Sequence, residues 1–247
     1  MITPMRHFLA FLLLPLLAHA ADTERPVTTP VPRYEIKRAA AAITIDGRVD
    51  EAAWKNAEAV TLQFPWDAQT GAKQKTTVRL LWDDEYLYVA YTCEDSDIVA
   101  HYAQHDDPTY KDDAVELFLN PNPKQTVYFG LEMNARAVLY DYLYIFPQAL
   151  LKSYELKGVK LASHLDGTLN VTSDTDRGWE LEVAIPLANF SELMGGKPVM
   201  NGTEMSANLN RWDGTEPNRR LSIWSDSAMT RPNPHNPTRF GQLVFVK

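Results

Sequence analysis

Apolar and polar residues alternate in short runs along this sequence, and clusters of Asp, Asn, Pro and Gly separate the runs. A period of two puts successive side chains on opposite faces of a pleated strand, so such a chain folds into sheets rather than helical bundles. The sharpest case is Thr77 to Trp82, a polar turn Asp83-Asp84-Glu85, and Tyr86 to Cys93. These two aromatic and β-branched runs predict an antiparallel hairpin. Further strands are expected over 114–119, 126–133, 137–144, 159–162, 168–172, 179–185, 204–212, 222–224 and 241–246, with helical turns only at 51–57 and 187–194. The expected fold is all-β, an antiparallel, jelly-roll-like β-sandwich with one or two short helical turns.

The ends of the chain set its compartment and extent. Arg6 and His7 precede an apolar run from Phe8 to Leu17, and Ala18-His19-Ala20 supplies small residues for cleavage. Residues 1–20 therefore read as an export signal cut after Ala20, which predicts a secreted or periplasmic protein. No later stretch approaches the ~20 apolar residues of a membrane span, so no membrane association is expected once the signal is gone. Residues 21–34 mix Thr, Pro and charge and read as a flexible N-terminal linker, leaving 35–247 as one folded domain. Lys plus Arg number 24 against 32 Asp plus Glu, a net charge of −8 that argues against nucleic acid as a partner. Cys93 is the single cysteine; no disulfide can form within the chain, and its place in an apolar strand predicts a packed thiol.

Alternation also assigns faces. In 114–119, Val115, Leu117 and Leu119 point one way, Glu116 and Phe118 the other. In the next strand Val127, Phe129, Leu131 and Met133 oppose Tyr128, Gly130, Glu132 and Asn134, and later Met205, Ala207 and Leu209 oppose Ser206, Asn208, Asn210 and Trp212. If these strands share a sheet, their second faces form a surface of carboxylates, amides and aromatic rings. That composition suits a saccharide, whose hydroxyls bond Glu, Asn and Arg while its C–H faces pack on rings. A wetted outer sheet face is the alternative. In 179–185, Trp179, Leu181, Val183 and Ile185 oppose Glu180 and Glu182, which predicts a half-solvated strand without a site.

At this level the chain resembles carbohydrate-binding module family 9 and its wider family-9-like relatives. The resemblance lies in Ile43-Thr44-Ile45-Asp46-Gly47-Arg48-Val49-Asp50-Glu51-Ala52-Ala53-Trp54, in Val78 to Asp83 with Tyr86-Leu87-Tyr88-Val89, and in Asp113 to Leu119. It continues through Asn134, Trp179 to Pro186, Asn208 and Trp224 to Pro237-Thr238-Arg239-Phe240-Gly241-Gln242-Leu243. It implies a saccharide-binding sandwich, attached to or encoded beside polysaccharide-degrading enzymes, with structural calcium in some members. It places the binding Glu on Glu116, a stacking Trp on Tyr110, a Gln on Asn210 and an Arg on Arg219 or Arg220. A second Trp falls on Pro234 and a sheet Arg on Glu132, with His235 and Trp212 beside the departing positions. The expected substrate-binding set is thus Tyr110, Glu116, Glu132, Asn208, Asn210, Trp212, Arg219, Arg220 and His235.

The expected function is non-catalytic recognition of an oligo- or polysaccharide during polysaccharide breakdown or uptake, with a separate degrading enzyme as possible partner and no cofactor required. A structural Ca2+ would fall to Asp46, Asp50 and Glu51, which also suit capping of the turn that holds Trp54. Two other readings stay open. Glu116 and Glu132 on neighbouring strands stand near the spacing of a retaining glycosidase pair, and Met133, His101 or His235 could ligate haem in an electron-transfer sandwich. The cluster Arg219, Arg220, Arg231 and Arg239 raises an acidic sugar such as a uronate, against pairing with the chain's own acids. The stretch His101 to Asp107, with Asp112 and Asp113, is the richest in metal-ligating types and also suits an exposed loop.

Overall fold

The computed structural model describes residues 23–247; the predicted signal and its cleavage point lie outside them. The described residues form a two-layer β-sandwich closed along one side by a shared strand. Strands β1 (Arg33–Arg38), β2 (Val60–Thr61), β3 (Thr76–Trp82), β4 (Tyr86–Glu94), β5 (Ala114–Asn120), β6 (Val127–Asn134) and β7 (Leu139–Ile145) are followed by β8 (Ala149–Leu151), β9 (Lys160–Asp166), β10 (Gly178–Pro186), β11 (Glu204–Asp213), β12 (Arg220–Ile223) and β13 (Gly241–Phe245). The hydrogen-bonded order is β8-β7-β6-β5-β11-β13-β1-β3-β4-β10-β9, with β12 beside β11 and β2 beside β3.

Pairing is antiparallel as expected except at β1. Arg33 to Ile36 run parallel to β13, and Lys37 and Arg38 run parallel to β3, so one strand passes from the first layer into the second. No short turn joins β1 to either neighbour, and only such turns impose antiparallel pairing. Tyr34 and Ile36, fully buried, fill the corner: the Tyr34 hydroxyl donates to Glu58 O at 2.6 Å and accepts from Leu80 N at 3.0 Å.

Residues 23–25, expected within a flexible linker, are instead laid along the 226–236 loop. Arg25 N donates to Ala228 O, its guanidinium pairs with Asp226 at 2.6 Å, and Asn236 Nδ2 donates to Glu24. The strand expected at 168–172 is a turn, held by the Thr168 N–H on Asp176 and by Asn170 in the left-handed region at φ 60°. Strands β1, β2 and β8 lacked an alternating signal long enough to read. The two helical turns are single 3-10 turns, Ala52–Asn56 and Leu187–Phe190.

Val115, Leu117, Leu119, Phe129, Leu131, Met133, Met205, Ala207 and Leu209 of the first layer meet Val89, Tyr91, Trp179, Leu181, Val183 and Ile185 of the second in one buried core. Cys93 lies in it, and burial pushes its thiol up to about 12, consistent with a packed thiol. The outer face of β10 departs from expectation. Glu182 is fully buried beneath residues 43–57, where its carboxylate accepts from Trp54 Nε1 at 2.9 Å, Gly47 N at 3.1 Å and Asp46 N at 3.2 Å.

Candidate functional site

Register builds the site. Across β11, β5, β6 and β7, Asn210 pairs with Glu116, Glu116 with Glu132, and Glu132 with Tyr140, so four polar side chains line up on the outer face of the first layer. The adjacent row runs Asn208, Phe118, Gly130, Tyr142. Gly130 matters because it has no side chain: a Cβ there would run into the Tyr142 ring. The ring therefore lies flat across β6, and its hydroxyl donates to Glu132 Oε1 at 2.8 Å.

Four segments wall this row into a pocket of about 740 Å³, with Tyr110, Glu116, Glu132, Tyr140, Tyr142, Lys152, Trp212, Arg219, Pro234 and His235 among its lining residues. Arg219 fastens two of the walls together. Its guanidinium donates to the carbonyls of Tyr110, Lys111 (2.7 Å) and Asp112 (3.2 Å), and its carbon stands 5.1 Å over the Trp212 ring. His235 stacks on Phe118 with ring centroids 4.7 Å apart, and its Nδ1 meets the Tyr128 hydroxyl at 2.7 Å. Burial lowers this imidazole to about 4, so it is neutral at physiological pH. Tyr110, Tyr140 and Tyr142 follow one another at centroid distances of 5.9 and 5.4 Å, an aromatic rim beside the acids.

The floor is the unusual part. Glu116 is 2% exposed and Glu132 4%. Desolvation raises Glu116 to about 7, against the pull of Asn210, Arg219 and Trp212. Glu132 is raised well above its ordinary value by desolvation and by the neighbouring Glu116. Both carboxyls are therefore drawn toward protonation, and they titrate together as one pair. Asn210 Nδ2 donates to Glu116 Oε2 at 3.2 Å, while Asn210 Oδ1 and Glu132 Oε2 are buried without a hydrogen-bond partner. Buried polar atoms are normally satisfied, and here one that is not, Glu132 Oε2, lies at the base of an open pocket.

Of the expected binding residues, Tyr110, Glu116, Glu132, Trp212, Arg219 and His235 line the pocket, and Asn210 adjoins it through Glu116. Asn208 and Arg220 do not. Asn208 ties β11 to the next segment, donating to Ser225 O at 2.9 Å and accepting from Ser225 N at 3.0 Å. Arg220 is buried against Asp213, its Nε 3.1 Å from the carboxylate. The arginine cluster is not a site either: Arg239 holds Asp226 O and Thr29 O, and Arg219 alone of the four reaches the pocket.

Tyr140, Tyr142 and Lys152 were not expected in the site. A signal for the first two existed, since Tyr140, Tyr142 and Tyr144 alternate along a strand beside one already assigned a polar face. Lys152 stands outside any alternating run and carried no signal.

The structure gives the proposed metal and haem ligands other surroundings. Asp46 Oδ1 accepts from Arg48 N and Glu51 Oε1 from Thr44 N, so with exposed Asp50 they shape the turn below Trp54 and do not converge as a calcium set. Met133 is enclosed in the core, His101 is exposed, and His235 is committed to Tyr128. These three side chains do not fit an axial pair for haem. In the acidic stretch, Asp112 accepts from the backbone of His101 and Tyr102, and Asp107 from Ala103 and Gln104.

Comparison with known proteins gives one consistent direction. The family described as carbohydrate family 9 binding domain-like matches residues 45–247. An exoglucanase of Acetivibrio thermocellus and an endo-1,4-beta-xylanase A of Thermoanaerobacterium saccharolyticum are each 28% identical over 151 residues, 61% of this chain. The matched stretch spans 12% and 11% of those much longer proteins. Among solved structures, a Bacteroides uniformis protein described as carbohydrate-binding superposes with a TM-score of 0.74 at 20% identity, covering 87% of this chain and 99% of that one. A family 9 carbohydrate-binding module from Caldicellulosiruptor kristjanssonii, solved with cellotriose, superposes at 0.60 with 20% identity, over 87% and 93% of the two chains.

Proposed function

The chain belongs to the carbohydrate family 9 binding domain-like family, and from that premise we propose that its aromatic-walled pocket binds a saccharide without transforming it. The observation that carries this reading is Glu132 Oε2, buried without a partner beside Glu116 at the base of an open pocket. A sugar hydroxyl donates to a carboxyl oxygen of the pair and accepts from its proton, while Asn210 orients Glu116. The C–H face of the ring packs on Tyr110, Tyr140 and Trp212, and Pro234 adds apolar lining. The complexes of the Caldicellulosiruptor module with cellotriose and with glucose support the ligand class.

A neutral sugar fits this floor better than a uronate, because a further carboxylate laid on two buried acids is poorly solvated and is itself pushed toward protonation. The chemistry needs no cofactor. Export, with cleavage after Ala20, would put the protein where polysaccharide is broken down or taken up, beside a separate degrading enzyme. Binding is preferred to hydrolysis because Glu116 and Glu132 are both drawn toward protonation, whereas a retaining glycosidase needs one of the two as a ready nucleophile.

Calorimetric titration of the chain with neutral and uronic-acid oligosaccharides, with overnight analysis for products, tests the proposal. Micromolar to millimolar binding to a neutral glycan with no product supports it. Product formation would make the two glutamates catalytic, and absence of heat across the panel would end the saccharide reading.

A further inference from the structure

Away from the pocket, His105, Asp106, Asp141 and Glu155 bring their ligand atoms within 4.8 Å of one another. We propose that these four side chains bind a divalent transition-metal cation of the zinc class. His105 Nε2 stands 2.8 Å from Glu155 Oε2, 3.6 Å from Asp106 Oδ1 and 3.7 Å from Asp141 Oδ1. One imidazole nitrogen with carboxylate oxygens is a donor set that Zn2+ and its neighbours take readily, whereas Ca2+ takes oxygen and leaves imidazole aside. The donors come from three separate stretches: the loop between β4 and β5, strand β7, and the loop between β8 and β9.

Asp141 supplies an observation independent of the clustering. Its side chain is 0% exposed, and Oδ2 accepts from Leu156 N at 2.6 Å. Its Oδ1, buried and without a hydrogen-bond partner, faces the His105 ring. Burying a carboxylate oxygen with nothing donated to it is costly. A cation between Oδ1 and Nε2 answers that cost, and the Leu156 N–H on Oδ2 is the kind of outer bond that orients a ligating carboxylate.

The position gives the site a consequence. Asp141 projects from the face of β7 opposite Tyr140 and Tyr142. The loop bearing His105 and Asp106 runs on into Tyr110, and Glu155 follows Lys152 by three residues. A metal here clamps, from behind the sheet, both segments that bring Tyr110 and Lys152 to the pocket. This consequence rests on the saccharide reading; metal binding itself does not.

Calorimetric titration of the tag-free chain with ZnCl2, in parallel with MnCl2 and CaCl2, tests the site. The expected result is one Zn2+ per chain, bound at least ~30-fold more weakly by His105→Ala and by Asp141→Asn, about 2 kcal/mol on conversion. The thermal midpoint should rise with Zn2+ in the wild type and stay fixed in His105→Ala, a half-exposed position where folding is safe if Asp141→Asn misfolds. No Zn2+ binding, binding unchanged in His105→Ala, or Ca2+ binding tighter than Zn2+ and indifferent to His105 would each overturn the proposal. Sugar titration without metal reports on the pocket separately, so failure of one reading is told apart from failure of the other.

Discussion

Buried glutamates lie on the outer face of both layers, and they are used differently. Glu182, on β10, is covered by residues 43–57 and accepts from one indole and two backbone N–H groups. Glu116 and Glu132, on β5 and β6, lie under an open pocket, and Glu132 has a buried oxygen that nothing bonds. Glu182 and Glu116 are both raised to about 7, in each case chiefly by desolvation. Burial and a shifted carboxyl therefore do not distinguish a structural acid from a binding one here. What distinguishes them is where the remaining hydrogen-bonding capacity points: at Glu182 the chain itself fills it, and in the pocket a ligand is left to do so.

The largest effect that should separate the two regions is on stability. Glu182→Ala leaves Trp54 Nε1 and Gly47 N without an acceptor and should cost about 3 kcal/mol, a fall of about 9 °C in thermal midpoint, while sugar affinity of the folded fraction is unchanged. An equal loss of affinity would mean that the two faces are coupled and the contrast is false. Tyr110→Ala should do the reverse, weakening sugar binding by about 1 kcal/mol through lost stacking with little change in midpoint.

A smaller effect concerns pH. Glu116 holds its proton up to about 7 in the folded chain, above its ordinary 4.5, and Glu132 is shifted in the same direction. The folded state thus keeps protons that the unfolded state releases across that window, and these groups lose stability for the fold as pH rises through it. His235 works at the other end: lowered from 6.5 to about 4, it refuses a proton that the unfolded chain takes, so its contribution is lost as pH falls through that range. In Glu132→Gln the acid repulsion is gone while an acceptor for Tyr142 remains. Its stability relative to wild type should be about 1 kcal/mol better at pH 8 than at pH 5, read from thermal melts at both values. A difference that does not change with pH would show that the pair is not strained by charge.

Much of this contrast was legible in alternation. Glu116 and Glu132 fall on the face opposite Val115, Leu117, Leu131 and Met133, and their pairing across two strands followed from that assignment. The same logic put Glu182 on an outer face and mistook it for a solvated one. Alternation reports which face a side chain takes, and it is silent on what a distant segment lays over that face. Asn208 misled for a related reason: an amide on an outer face reads alike whether it meets a ligand or, as here, Ser225; Arg220, offered with Arg219 by the family resemblance, turns instead to Asp213. Lys152 and the parallel placement of β1 depend on chain paths that no local pattern encodes.

The most direct measurement is calorimetric titration of wild type and Glu116→Ala with the neutral oligosaccharide that binds best, alongside their thermal melts. The account predicts that the variant loses about 2 kcal/mol of binding, roughly 30-fold in affinity, while it stays folded with a lower midpoint, because Asn210 Nδ2 loses its acceptor. Unchanged affinity in a folded Glu116→Ala protein would contradict it and place the saccharide elsewhere on the sandwich.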